Sequence, residues 1–380
     1  MPLLSCQVKQ SRSVELGNFA SSNLLWIAVI VSTLAAALIL ILIALICMLR
    51  WSFNSERQNY EIFSNEWFPI FAKVIIGEPP IISKELNQTD KLILLRLWIY
   101  WHQSISGDAS GRLKKFISDI GCNEVALNLI HKGNRAQKLL SSISLGNLNE
   151  SSAWDYLKLL VATDDQIISL HAARAMLQLD SQRAINELMP MILGRAKWDM
   201  SVLTHILKQS RAVFESEVVK GWITFNESQK IRALKLCTNL GLSLTEEMLC
   251  QLLKIDQGTP LLNETLHLLE RLQNPAYRLQ IIKLFDHPSA SVRAQAVRAH
   301  TAIASPRDIE ILIEMLHDND SLTRNHAAFT LSQSSTLGIK GLRSLREALE
   351  DPRAYQAVAV TCMRLELIAG YYLKFLLGYL

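Results

Sequence analysis

The feature that most constrains this chain is a column of residues that returns about every 31 positions. Ser141, Ala172, Leu203, Ala233, Thr265, Ala296, Ala327 and Ala359 follow one another at gaps of 31, 31, 30, 32, 31, 31 and 32. All but Leu203 are small or short. Four positions further on stand Leu145, Met176, Leu207, Cys237, Leu269, His300, Leu331 and Met363, and all but His300 are apolar or soft. A small residue followed one helical turn later by a bulky one is what close helix packing asks of an inner face. The other half of the unit is visible too. Ile185, Leu188, Met189 and Ile192 sit at i, i+3, i+4 and i+7, as do Ile309, Leu312, Ile313 and Leu316. Leu284-x-Asp286, Leu316-x-Asp318 and Leu349-x-Asp351 then close one helix and turn into the next. Neither helix can bury its apolar stripe alone, but stacked units share one continuous core. The expectation is an all-α solenoid of about eight helix pairs over residues 125–365.

Composition excludes the alternatives. With 15 glycines, 10 prolines and no Asn-Gly or Asp-Gly in 380 residues, the chain lacks the turn chemistry of a sandwich or barrel. A net charge of +4 is too weak for an electrostatic grip on nucleic acid. The six cysteines are scattered and form no C-x-x-C, so neither a disulfide framework nor a zinc ribbon is indicated.

Residues 24–50 hold the longest apolar run, uncharged from Leu24 to Leu49. As a helix at about 1.5 Å per residue it exceeds the roughly 30 Å of a bilayer core. Ser32 and Thr33 are its only hydroxyl residues, and helical hydroxyls can bond back to the backbone. Trp26 and Trp51 bracket the run with Arg50 at its end, the pattern of interfacial anchors. A cleaved signal would be shorter, about 7–15 residues, with a small-x-small site behind it. The reading is therefore a single-pass membrane helix behind a tail of residues 1–23. Basic residues on its two sides are tied: Lys9 and Arg12 before it, Arg50 and Arg57 after it. Unpaired downstream cysteines favour a cytoplasmic main domain at the plasma membrane of a bacterium.

Residues 51–80 are aromatic. Ser55-Glu-Arg-Gln58 has the form of a capping box that starts a helix. Tyr60, Phe63 and Trp67 then share one face, and Pro69 should end or bend the helix. That stripe is a candidate partner surface; the rival reading packs it on the helices behind. Gly77-Glu-Pro-Pro80 reads as a boundary, residues 81–124 as a helical cap of the solenoid, and Leu92–Trp101 as a buried helix, not a second span. Residues 366–380 read as an apolar helix covering the last repeat.

The block Leu284-Phe-Asp286…Val292-Arg293-x-x-Ala296, repeated as Leu316-His-Asp318…Leu322-Thr-Arg324-x-x-Ala327-Ala328…Leu331, resembles HEAT repeats of the short bacterial kind. The resemblance is specific over roughly 280–365 and degenerate over about 125–280. In that family a turn aspartate and an arginine of the second helix form a hydrogen-bonded ladder. The resemblance implies those roles for Asp286, Asp318 and Asp351 with Arg293 and Arg324. Gln356 and Ser169 stand where arginine would be expected in the last and first clear units. It also implies a scaffold or adaptor binding a protein partner. Similar tethered proteins accompany membrane glycosyltransferases or polysaccharide-export assemblies. The alternative it implies is an enzyme or chromophore-lyase-like activity on the concave face, for which His300 is the one nameable residue.

No catalytic, cofactor or metal motif survives inspection. There is no phosphate-binding glycine loop. Asp318-Asn-Asp320-Ser-Leu322 places Leu where a calcium loop needs a ligand. Cys122 and His131 have no third group to support them as nucleophile and base. No small-molecule substrate and no cofactor are expected.

Overall fold

The computed structural model describes residues 4–80, 82 and 86–377, and among them every regular element is helical. The chain divides into two units, residues 1–125 and 126–380. Residues 1–3 of the tail and 378–380 of the apolar end lie outside the described residues.

The first unit is built on one 73-residue helix, α1 (Leu4–Ile76), with α2 (Gln88–His102) and α3 (Asp108–Asp119) packed on it. Ser55 therefore starts no helix. The helix already runs through it, so the amides a capping box would satisfy are bonded within the turn before. Nor does Pro69 stop α1. It is exposed and close to the end, where water can satisfy the freed carbonyl. The stop comes at Gly77, whose φ of +91° is open to glycine. There the amides of Gly77 and Glu78 bond the carbonyls of Val74 (3.2 Å) and Lys73 (2.9 Å), the double bond of a Schellman motif. Arg112 of α3 donates to the Val74 carbonyl as well and to one more terminal carbonyl, that of Ile75.

Phe63, Trp67, Phe71 and Val74 line the packed face of α1 and are 0–8% exposed. Phe63 stacks on Trp67 at 5.5 Å, and Phe116 of α3 meets the rings of Trp67 and Phe71. Phe63 and Trp67 are thus core residues, which corrects their reading as a partner surface; Tyr60 is half-buried. The spacing that puts aromatics on one face serves a core as well as it serves a partner. In α2, Leu94, Leu95, Leu97 and Trp98 are buried and Arg96 is exposed.

After α3 the chain is a succession of helix pairs, the first helix of which crosses the boundary between the two units. The pairs are α4 (Cys122–Lys132) with α5 (Arg135–Leu148), α6 (Trp154–Val161) with α7 (Gln166–Leu179), α8 (Ser181–Gly194) with α9 (Met200–Leu207), and α10 (Arg211–Gly221) with α11 (Glu227–Leu240). Then come α12 (Glu246–Leu252) with α13 (Thr259–Leu272), α14 (Arg278–Ile282) with α15 (Ala290–His300), α16 (Ile309–Glu314) with α17 (Ser321–Gln333), and α18 (Gly338–Ala348) with α19 (Pro352–Leu377). The second helices stack in sequence, α5 on α7 through to α17 on α19.

The small-residue column falls on these second helices, and its first seven members are at most 2% exposed. Ser141 and Thr265 fit there because their hydroxyls bond the carbonyls of Gln137 and Leu261, each at 2.8 Å. Gly146 shows how tight the stack is: a Cβ there would meet the Ala175 Cα at 2.8 Å. The last pair departs by one position. Val358 and Cys362, each 31 residues after Ala327 and Leu331, are buried, whereas Met363 is 60% exposed. Following small residues alone led to Ala359; constant spacing gives the buried face. The apolar end is no separate cap. It continues α19 without a break, and Leu367 (64%) and Ile368 (46%) are exposed.

Candidate functional site

Two sets of polar residues hold the C-terminal pairs together. Arg293 of α15 donates from Nε and Nη2 to both carboxylate oxygens of Asp318 (2.7 and 2.9 Å), and from Nη1 to the carbonyls of His287 and Pro288. One guanidinium therefore closes its own turn and grips the aspartate of the next. Burial opposes charge on Asp318, but Arg293 and the Asp320 amide together hold its carboxyl below the ordinary value. Arg324 differs. It donates to the carbonyls of Asp318 (2.7 Å) and Asn319 (2.9 Å), and among the described residues no carboxylate receives it. Its would-be partner Asp351 is taken by His317 and by the amide of Arg353. Asp351 lies 27 residues after Arg324, against 25 between Arg293 and Asp318, so the register of the two units differs. Asp286 is exposed and meets neither arginine. Where Ser169 replaces the arginine, Arg195 reaches back to Ser169 Oγ and the carbonyls of Val161 and Ala162.

The second set surrounds His300, which is fully buried. Its Nε2 lies 3.0 Å from Asp308, which also pairs with Arg278, and Phe285 meets the ring edge-on at 5.5 Å. Burial pushes the imidazole below its usual range, Asp308 pulls it up, and Arg278 adds to the lowering. Enclosed at a junction between pairs, His300 is unavailable to a substrate. Cys122 is likewise no nucleophile: burial pushes its thiol up to about 12 against the weaker pull of Lys91. Among the described residues no cluster of His, Cys, Asp and Glu could hold a metal ion.

An open groove of about 750 Å³ runs across the second helices α13, α15, α17 and α19. Its apolar part comes from Leu322, Phe329 and Val360, which are 59%, 40% and 40% exposed. Its charged part comes from Arg271, Arg298, Arg364 and Glu270. Glu270 bonds Arg298 at 2.9 Å and Gln295 at 3.0 Å, which fixes that wall. His326 also lines it, pushed below its usual range by burial and by Arg298. Such a surface can hold an extended ligand with apolar and anionic groups, and it has no reacting pair.

None of these groove residues was expected as a site, yet the repeat carries the signal. Arg298, Phe329 and Val360 recur at 31-residue intervals, two positions past the buried small residue of each helix. Reading the exposed column as well as the buried one finds them.

At the other end of the chain, Val29–Trp51 is long and apolar enough to cross a membrane. Its described side chains are exposed, Trp26 and Trp51 at 68% and 78%. Ser32 and Thr33 bond the carbonyls of Val29 and Ile30 at 2.9 Å.

Comparison with known proteins finds a family model that matches part of the chain. No curated protein matches the chain. Among solved structures, an engineered protein from the Northeast Structural Genomics Consortium is 14% identical, with 81% of this chain and 95% of that one covered and a TM-score of 0.31. The complex of CpcE and CpcF of phycocyanin lyase from Nostoc sp. PCC7120 is 18% identical, with 63% and 93% covered and a TM-score of 0.22. Scores this low carry no argument about shape or activity. The family model for HEAT repeats matches residues 246–332 and 279–364. The chain thus carries HEAT repeats over residues 246–364, the stretch that holds the Arg293–Asp318 pair and the groove.

Proposed function

We propose that this protein is a membrane-anchored adaptor whose HEAT repeats hold a protein partner in the groove across α13, α15, α17 and α19. The groove carries this reading: it is open, partly apolar and partly charged, and it is built on stacked helices that need no ligand to form. The apolar helix supports the anchor. Its described side chains between Val29 and Trp51 face outward, which water would penalise at about 25 cal/mol per Å². The role is binding, not catalysis, because the histidine and cysteine considered for chemistry are enclosed. A membrane glycosyltransferase or polysaccharide-export assembly is the partner class that the resemblance to tethered HEAT proteins points to.

Two experiments test the two parts. After alkaline carbonate extraction of membranes, the intact protein should remain in the pellet; recovery in the supernatant removes the anchor. Purification in mild detergent followed by mass spectrometry should give one membrane protein in near-stoichiometric amount. A chain that purifies alone from its own membranes removes the adaptor.

A further inference from the structure

The exposed column that passes through the groove extends well beyond it. Two positions past the buried residue, successive second helices carry Arg174, His205, Lys235, His267 and Arg298, before Phe329 and Val360. Five helices in a row present a basic or imidazole side chain at the same place. The helices that carry them, α7, α9, α11, α13 and α15, pack each on the next, so the column is a continuous stripe. Arg174, His205, Lys235 and Arg298 are exposed and His267 is half-exposed. Arg174 and His205 line one shallow cleft together with Lys208, which adds a further cation. Acidic residues balance the last three of these five positions, and among the described residues no ion pair involves Arg174, His205 or Lys208. Glu264 pairs with Lys235 at 3.5 Å, and Glu270 with Arg298 at 2.9 Å and with His267 at 3.6 Å. The chain as a whole is close to neutral, so the stripe is a local arrangement.

We infer that this stripe binds an extended acidic segment of a protein partner, with an apolar residue of that segment seated in the groove at Phe329. The inference rests on the adaptor reading and names the chemistry of its partner. Charge complementarity selects an anionic ligand, and the apolar end of the stripe selects a polypeptide over a uniform polyanion. Spacing supplies the pattern. Stacked helices lie roughly 8–10 Å apart, and an extended chain advances about 3.3 Å per residue. The matching segment therefore carries a carboxylate at about every third residue.

The test uses the full chain in neutral detergent and a fluorescein-labelled peptide. The peptide has glutamate at every third position and a Leu-Phe pair near one end. Fluorescence anisotropy should show it binding about tenfold or more tightly than the same peptide with glutamine. The double variant R174E/K235E should lose a similar factor, and Phe329→Ser should weaken binding of both peptides. Reversal of charge on the first-helix side, R307E/K283E, is the control and should change little. Equal affinity for the two peptides, no binding of either, or equal loss in the control overturns the inference. So does competition by oligouridylate at the peptide's own concentration, which would mark a general polyanion site. A cellular partner that still copurifies with R174E/K235E leaves the adaptor standing and removes this inference alone.

Discussion

Position 300 shows how one residue can break a column and still belong to the core. The repeat asks for an apolar side chain there, and histidine is accepted because Asp308 receives its Nε2 and Phe285 covers its ring. The groups facing it are Asp308 and Arg278. Its folded pKa lies below the ordinary 6.5. The unfolded chain therefore takes up a proton that the native state refuses. Stability is complete above about pH 6.5 and falls as the pH drops from there towards the folded pKa. Denaturant melts at pH 7.5 and 5.5 should show this loss, and His300→Gln, which keeps a donor but cannot titrate, should reduce it. An unchanged pH dependence in the variant would place the titration elsewhere. Arg293 is the second decisive residue. Its pair with Asp318 is mostly buried, and charge-assisted bonds of this kind contribute about 1.5–3 kcal/mol. Arg293→Ala should destabilise α15–α17 by roughly 2–3 kcal/mol, read by hydrogen exchange, since an array need not melt as one unit. Arg324→Ala should cost less because no carboxylate is orphaned.

At the scale of elements, periodicity was readable and termination was not. The small-then-bulky column located all eight second helices, because a repeat that shares one core must reuse the same inner positions. It slipped by one residue in α19, where Ala359 mimics the pattern but Val358 is buried. The fate of α1 depended on features that sequence does not rank. A proline and a capping box both looked like boundaries, yet a glycine with positive φ and the reach of Arg112 set the end. The aromatic run beyond the apolar helix was ambiguous for a related reason: one face of a helix looks alike whether it meets α3 or a partner. Burial decides it. Phe71 is fully enclosed, so Phe71→Ala should cost about 3–5 kcal/mol and expose α3 to exchange. Little change in the exchange of α3 would return the stripe to the surface. The groove and its stripe were legible only in the exposed column, which carries no core signal and is overlooked when hydrophobicity alone is followed.

At the scale of the molecule, one chain carries an apolar helix that suits a bilayer and a stack of helix pairs with an open groove. What such a chain can do is fixed by which surface is occupied in the cell. Incorporating the photo-crosslinker benzoylphenylalanine in place of Phe329, and in a second protein in place of Leu279, compares the groove with the first-helix side. Both positions are exposed, at 40% and 61%. Illumination of intact cells should give one discrete adduct of the membrane fraction from position 329 and none from position 279. No adduct from 329, or equal adducts from both, would contradict the claim that this groove holds the partner.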